Sequence, residues 1–286
     1  MIVATEEFIA GGGGKIFVRS WRPSSPARAV MAICHGFNSH SGMYRWVGEQ
    51  CAAQGIATYA LDLRGWGKSE GERFFVESFD EYVADLHSLI VFAKTRQHDL
   101  PTFLLGHSAG GVTACLYALD HSAEIAGLVS EDFAFEVPAP DFALAVLKAI
   151  SHLAPHAHSI ALKNEDFSRD LATVQAMNED VLIAREKQTF GTMAAIVRAD
   201  QRLKLSFSEI KLPVLIIHGT ADKATKLSGS QYFHAQVGSV DKTLKLYDGR
   251  FHDPLNDLGK EEVMTDLLQW IYARLAPGGW QSTSPK

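Results

Sequence analysis

Ser108 sits in Gly106-His107-Ser108-Ala109-Gly110, a G-x-S-x-G spacing between an apolar run at 102–105 and a helix-patterned run at 112–119. A strand that turns straight into a helix forces its middle residue into a strained backbone conformation, and flanking glycines let neighbouring backbone pass close by. Such a turn stands the Ser108 hydroxyl clear of the sheet. It also aims the Ala109 N–H, at the helix N-terminus, into the space beside it. A serine hydroxyl is a weak nucleophile at neutral pH, so it needs a base within hydrogen-bond reach and a carboxylate to hold that base in the right tautomer. His252 and Asp222 are the candidates, because each falls just past the end of a strand-like run, at 243–247 and 213–217. Reactive groups collect at such strand ends. Asp253 is too close to His252 in the chain to reach its ring, and Asp248 belongs to the turn. Among the twelve histidines, His107 and His218 flank the site as structural hydrogen bonders. The run at 28–34 stops at His35-Gly36-Phe37-Asn38, which suits Phe37 N–H as a second oxyanion donor and His35 as a packed structural residue. The chemistry implied is acyl transfer through an acyl-enzyme on Ser108.

Other motifs fall away on inspection. Gly11 to Gly14 precede Lys15, but no Ser or Thr follows and no helical run comes next, so a turn is implied. Gly67-Lys68-Ser69 imitates the end of a phosphate loop, yet Asp62 holds the place where that loop needs glycine. His152, His156 and His158 are interrupted by Pro155 and lack a completing cysteine or carboxylate, so no metal is expected. The acyl-transfer scheme itself requires no cofactor. A formal charge of −6 over 286 residues provides no basic face for nucleic acid. The three cysteines, Cys34, Cys51 and Cys115, are odd in number, and Cys34, ending an apolar strand, and Cys115, in the helix after the elbow, read as small buried hydrophobes rather than a disulfide framework. Residues 1–10 lack a basic n-region, and no apolar run reaches the ~18 residues of a membrane span. The expectation is a soluble, cytoplasmic protein.

The elements that must position these residues follow one rhythm. Strand-like runs at 3–9 and 15–21 form a hairpin; a strand at 28–34, a helix at 46–54, a strand at 56–61 and an amphipathic helix at 79–94 lead to the elbow. A further strand at 125–130 completes this half. Strands alternating with helices imply a mostly parallel sheet of eight strands, covered by helices on both faces. From 133 to 207 the rhythm breaks: there is no convincing strand, only helical stretches at 141–153, 171–177 behind Asp170 as N-cap, and 189–203. An inserted helical block of this kind is a cap. Its first stretch is apolar on more than one face, with Phe133, Phe135, Phe142, Leu144, Val146, Leu147, Ile150 and Leu153. That pattern calls for burial against the core and against a ligand tunnel, a lipid surface or a second subunit, and it equally suits a well-packed lid with no exposed patch. The alternation resumes with the strand at 213–217, a helix at 228–236, the strand at 243–247 and a helix at 260–275. The expected division is therefore core 1–132, cap 133–207, core 208–275 and a disordered tail 276–286.

The order Ser108, Asp222, His252 is that of α/β-hydrolases. Over about residues 10–275 the chain resembles the monoacylglycerol lipase and lysophospholipase-like group of that fold. The resemblance rests on His35-Gly36-Phe37, on Asp62-Leu63-Arg64-Gly65-Trp66-Gly67-Lys68-Ser69 and on Gly106-His107-Ser108-Ala109-Gly110-Gly111. It extends through Ser168-Arg169-Asp170, Asn178-Glu179-Asp180 and the segment from Asp241 to Tyr247 before His252. Two departures from that group's pattern would reshape the acyl or alcohol pocket without touching the triad: Ala109 where the group commonly has Met, and Glu131-Asp132 where it commonly has Ser-Pro or an apolar pair. The resemblance implies hydrolysis of monoacylglycerol-like single-chain esters. Fold and triad leave open a lysophospholipase, a short-chain carboxylesterase, an aryl or phthalate monoester hydrolase, an acyltransferase, and a non-catalytic receptor. They also leave open the acyl length and the oligomeric state.

Overall fold

The computed structural model describes residues 4–135, 147, 150–184 and 186–275. Phe142, Leu144 and Val146, most of the helix expected at 141–153, and the tail 276–286 lie outside the described residues. One sheet of eight strands runs in the order β1-β2-β4-β3-β5-β6-β9-β10. Strands β1 (Thr5–Ala10) and β2 (Lys15–Trp21) form the antiparallel edge. The turn between them closes with Gly11 N–H donating to the Gly14 carbonyl at 2.7 Å. From β4 (Ile56–Leu61) through β3 (Ala29–Cys34), β5 (Thr102–His107), β6 (Gly127–Glu131), β9 (Val214–Gly219) and β10 (Lys242–Tyr247), every pairing is parallel.

Side chains alternate across a strand, and so β3 feeds two cores. Val30, Ala32 and Cys34 pack with helices α2 (Phe79–Arg96) and α3 (Ala109–Asp120), through Leu86, Leu89, Val112 and Leu116. Ala29, Met31 and Ile33 pack on the other face with α1 (Arg45–Ala53) and α7 (Lys260–Ala273), through Val47, Cys51, Leu267 and Trp270. A sheet buried on both faces must read as continuous apolar strands, and β3, β4 and β5 do. The three cysteines are buried and free.

Between β6 and β9 the chain leaves the sheet. This stretch holds α4 (Leu171–Glu179), capped by Asp170 accepting from Ala172 N–H at 3.0 Å, and α5 (Phe190–Ser206), capped by Thr189 accepting from Thr192 N–H at 3.2 Å. It also holds a small antiparallel ribbon of β7 (His158–Ile160) and β8 (Gln188–Thr189), which corrects the expectation of no strand there. Runs of three and two residues are too short to show a period of two, so tertiary pairing alone creates them. Phe133 and Phe135 are buried in an aromatic cluster with Phe207 and Phe233, whereas Leu153 is 87% exposed, against the burial expected of it. After β9, helix α6 (Leu227–Gln236) returns to the sheet.

Candidate active site

Ser108 occupies the elbow between β5 and α3 with φ 54° and ψ −120°, a left-handed conformation that costs a non-glycine residue of order 1–3 kcal/mol. The strain is held in place by Ser108 N–H donating to the Glu131 carbonyl at 2.9 Å and by tight packing around the turn. A Cβ at Gly110 would collide with the Cys34 and His35 carbonyl oxygens, and one at Gly106 with the Gly110 carbonyl oxygen and the Ala114 side chain. Both glycines are thus steric requirements of the elbow.

Three side chains far apart in sequence meet here. His252 Nε2 lies 2.9 Å from Ser108 Oγ, and His252 Nδ1 lies 2.8 Å from Asp222 Oδ2. Asp222 sits past the end of β9, and His252 lies in the loop after β10. Asp222 accepts from four donors: Ala224 N–H (2.7 Å) and Thr225 N–H (3.1 Å) on Oδ1, and Thr225 Oγ1 (2.6 Å) and His252 Nδ1 on Oδ2. Burial alone would raise this carboxyl, but the His252 ring and the Thr225 donors outweigh it and hold Asp222 below the usual carboxylate range. His252 is itself pinned. The Phe167 ring meets it edge-on at 4.9 Å, and its carbonyl accepts from His107 Nε2 at 2.9 Å.

The flanking histidines take structural places. Burial lowers the pKa of His35 to about 4 and that of His218 to about 4. Burial also lowers His107. His35 donates from Nδ1 to the Gly36 carbonyl and accepts on Nε2 from Leu63 N–H at 2.9 Å, while His218 Nδ1 bonds Ser230 Oγ at 2.8 Å. Asp248 accepts from Thr220 Oγ1 in the turn, and Asp253 accepts from Asn256. His156 pairs with Glu72, and His158 with the Lys187 carbonyl. Asp62, in the phosphate-loop imitation, accepts from Ser41 and Lys68 N–H and so serves as a backbone clamp.

The loop carrying Phe37 lies directly against the elbow. A Cβ added to Gly36 would stand 2.7 Å from Ser108 Cβ and 3.4 Å from the Ala109 nitrogen. Among the described residues, neither Phe37 N–H nor Ala109 N–H donates a hydrogen bond within the protein. Both are backbone donors beside the Ser108 side chain, the arrangement an oxyanion requires.

Several neighbours carry little or no mark of the site in the sequence. Asp132 is fully buried with φ 42°; its Oδ1 accepts from Gly219 N–H at 3.0 Å, no donor among the described residues reaches its Oδ2, and it clusters with Asp222 and His252 within 4.8 Å. Burial, then the Asp222 charge, raises its pKa well above the ordinary value. Glu131 is buried beside it, accepts from Leu255 N–H at 2.9 Å, and is raised by burial and by Asp253. Two acids ending an otherwise apolar strand were the available signal. Glu186 had none: it meets Asn38 and Trp66 across 148 and 120 residues of chain. Burial pushes its pKa up to about 7 against the pull of those donors. A cavity of about 380 Å³ opens beside Asp253, lined also by Arg19, His40, Met43, Thr173 and Met177. Among the described residues no helix is long and apolar enough to cross a membrane.

An eight-stranded, mostly parallel sheet with helices on both faces, and a strained serine at a strand-to-helix turn, define an α/β-hydrolase. The chain belongs to the family described as "Serine aminopeptidase, S33", whose model matches residues 25–259. It is similar to the monoacylglycerol lipase of Mycolicibacterium smegmatis, 31% identical over 276 residues that cover 95% of this chain and 98% of that one. It is 29% identical over 277 residues to the monoglyceride lipase of Homo sapiens, covering 94% of this chain and 91% of the relative. The crystal structure of Paleococcus ferrophilus monoacylglycerol lipase superposes with a TM-score of 0.82 at 28% identity, covering 90% of this chain and 98% of that one.

Proposed function

We propose that this chain is a serine ester hydrolase acting on monoacylglycerol-like single-chain esters, with Ser108 as nucleophile, His252 as base and Asp222 as its orienting acid. The observation that carries the reading is the continuous hydrogen-bonded line from Ser108 Oγ through the His252 ring to Asp222. His252 takes the Ser108 proton as the oxygen attacks the ester carbonyl. Phe37 and Ala109 N–H groups receive the oxyanion, and His252 returns the proton to the departing alcohol. Water, deprotonated by the same ring, then releases the fatty acid and restores Ser108. The similarity to relatives named monoacylglycerol lipase along nearly the whole chain supports the substrate class.

The same reading treats residues 133–207 as a cap on a core formed by 1–132 and 208–275. Large exposed apolar side chains in that stretch, Leu153, Leu171 and Val181, support contact with the lipid surface where such esters collect. The free, buried cysteines support a reducing compartment, the cytoplasm.

The test is labelling by a fluorophosphonate, with turnover of monoacylglycerols measured beside a chain-length series of p-nitrophenyl esters and an aminoacyl p-nitroanilide. We expect labelled wild type, no label on Ser108→Ala, and monoacylglycerol turnover exceeding that of acetate or anilide. An unlabelled wild type would overturn the nucleophile assignment, and a sharp preference for acetate or for the anilide would overturn the substrate class.

A further inference from the structure

The second oxyanion donor sits on a loop that the core does not hold alone. Asn38, the residue after Phe37, has φ 51° and is 4% exposed. Left-handed backbone at a non-glycine residue persists only where its surroundings fix it. Here the fixing groups come from one source. Asn38 N–H donates to Glu186 Oε1 at 2.8 Å, and Asn38 Nδ2 donates to Asn164 Oδ1 at 2.9 Å and to the Leu162 carbonyl at 3.2 Å. All three acceptors belong to the stretch between β6 and β9. Glu186 Oε1 also accepts from Trp66 Nε1 at 2.9 Å and from Gln188 Nε2 at 2.6 Å. The Trp66 ring in turn lies stacked on Phe37, with centroids 5.6 Å apart and planes 14° apart. One buried carboxylate oxygen thus grips the backbone on one side of Phe37 and the ring that packs against its side chain.

We infer that Glu186 is a positioning residue for the oxyanion hole: through Asn38 and Trp66 it fixes the direction of the Phe37 N–H, so the inserted stretch completes the catalytic geometry. The inference rests on the reading of Ser108 as nucleophile. Oxyanion donors act on charge that develops in the transition state, so a tilted donor lowers kcat without weakening ground-state binding. A residue that merely held the fold together would not separate the two.

The experiment measures kcat and KM on a soluble p-nitrophenyl ester, and inhibition by a trifluoromethyl ketone of matching chain length, which forms a tetrahedral adduct with the serine. For Glu186→Ala we expect kcat to fall about 10- to 100-fold. KM should stay within about twofold, and the ketone inhibition constant should rise in parallel with the loss of kcat. Glu186→Gln keeps one acceptor oxygen and should recover most of the rate. Should Glu186→Ala melt below the assay temperature, Asn38→Ala removes the two Nδ2 anchors without touching a charge, and the same split is expected. Wild-type kcat in the variant that folds, or a rise in KM with ketone affinity unchanged, would overturn the inference. Failure of the underlying reading looks different: the wild type itself would neither bind the ketone covalently nor lose activity in Ser108→Ala.

Discussion

Two carboxylates within reach of one imidazole cannot both carry charge in a buried site, and their donors decide which one does. Asp222 has four donors, while among the described residues Asp132 accepts from one backbone N–H and no donor reaches its second oxygen. The charge therefore stays on Asp222 and the proton on Asp132, as for other paired carboxylates. His218 Nε2, 3.7 Å from Asp132 and 3.4 Å from Asp222, does not reverse this, because burial keeps that ring neutral. Asp132→Asn then removes no charge, and the acidic limb of the kcat/KM profile should move by less than about 0.3 in pH. An ionised Asp132 within 4.8 Å of the ring would contribute about 3 kcal/mol at an effective dielectric of 20, and its removal would drag that limb down by about two pH units. The two outcomes differ enough for a pH–rate profile on a soluble ester to separate them.

At the scale of elements, the inserted stretch is fastened to the His252 loop by backbone bonds, Asp253 N–H donating to the Phe167 carbonyl at 2.9 Å among them, and by one buried carboxylate. Asp257 accepts from Arg169 N–H at 2.7 Å, from Arg169 Nε at 2.8 Å and from Phe251 N–H at 3.1 Å, which ties residues next to Phe167 to residues next to His252. Burial would raise Asp257, but the Phe251 N–H and the Arg169 donors outweigh it and lower its pKa. Arg169→Met keeps the stem and removes the guanidinium. With the arginine side chain a third exposed, we expect about 2 kcal/mol of lost stability and faster proteolytic cleavage between α4 and β8, read by urea titration and limited proteolysis. This fastening also shows what the sequence makes legible. The elbow, the strands ending at Gly219 and Tyr247, and the alternation behind them announce themselves locally, through apolar runs and through glycines no other residue can replace. The β7–β8 ribbon, the Glu186 grip and the Arg169–Asp257 tie are pairings across tens of residues between ordinary polar side chains. No period or composition marks them, and only the fold gives them partners.

For the molecule as a whole, buried titrating groups pull stability in opposite directions over the same pH range. His35 and His218, each lowered to about 4 by burial, bind fewer protons folded than unfolded between about 4 and 6.5, so their contribution to stability rises with pH across that window. Glu186, raised to about 7 by burial, does the reverse. Its contribution is complete below the unfolded value of about 4.5 and is lost as pH climbs through about 7. Asp222, held low, matters only in stronger acid, where protonating it removes stability. Wild-type melting temperature mixes all of these, so the informative quantity is a difference between variants. Glu186→Gln cannot ionise, which deletes the descending contribution and leaves the histidines in place. Its melting temperature relative to wild type should climb between pH 4.5 and 7.5 by an amount corresponding to about 3 kcal/mol, or roughly 5–10 °C for a chain of this size, and then level off. A difference that stays flat across that range would mean that the Asn38, Trp66 and Gln188 donors already hold Glu186 ionised in acid, and that burial does not govern its proton.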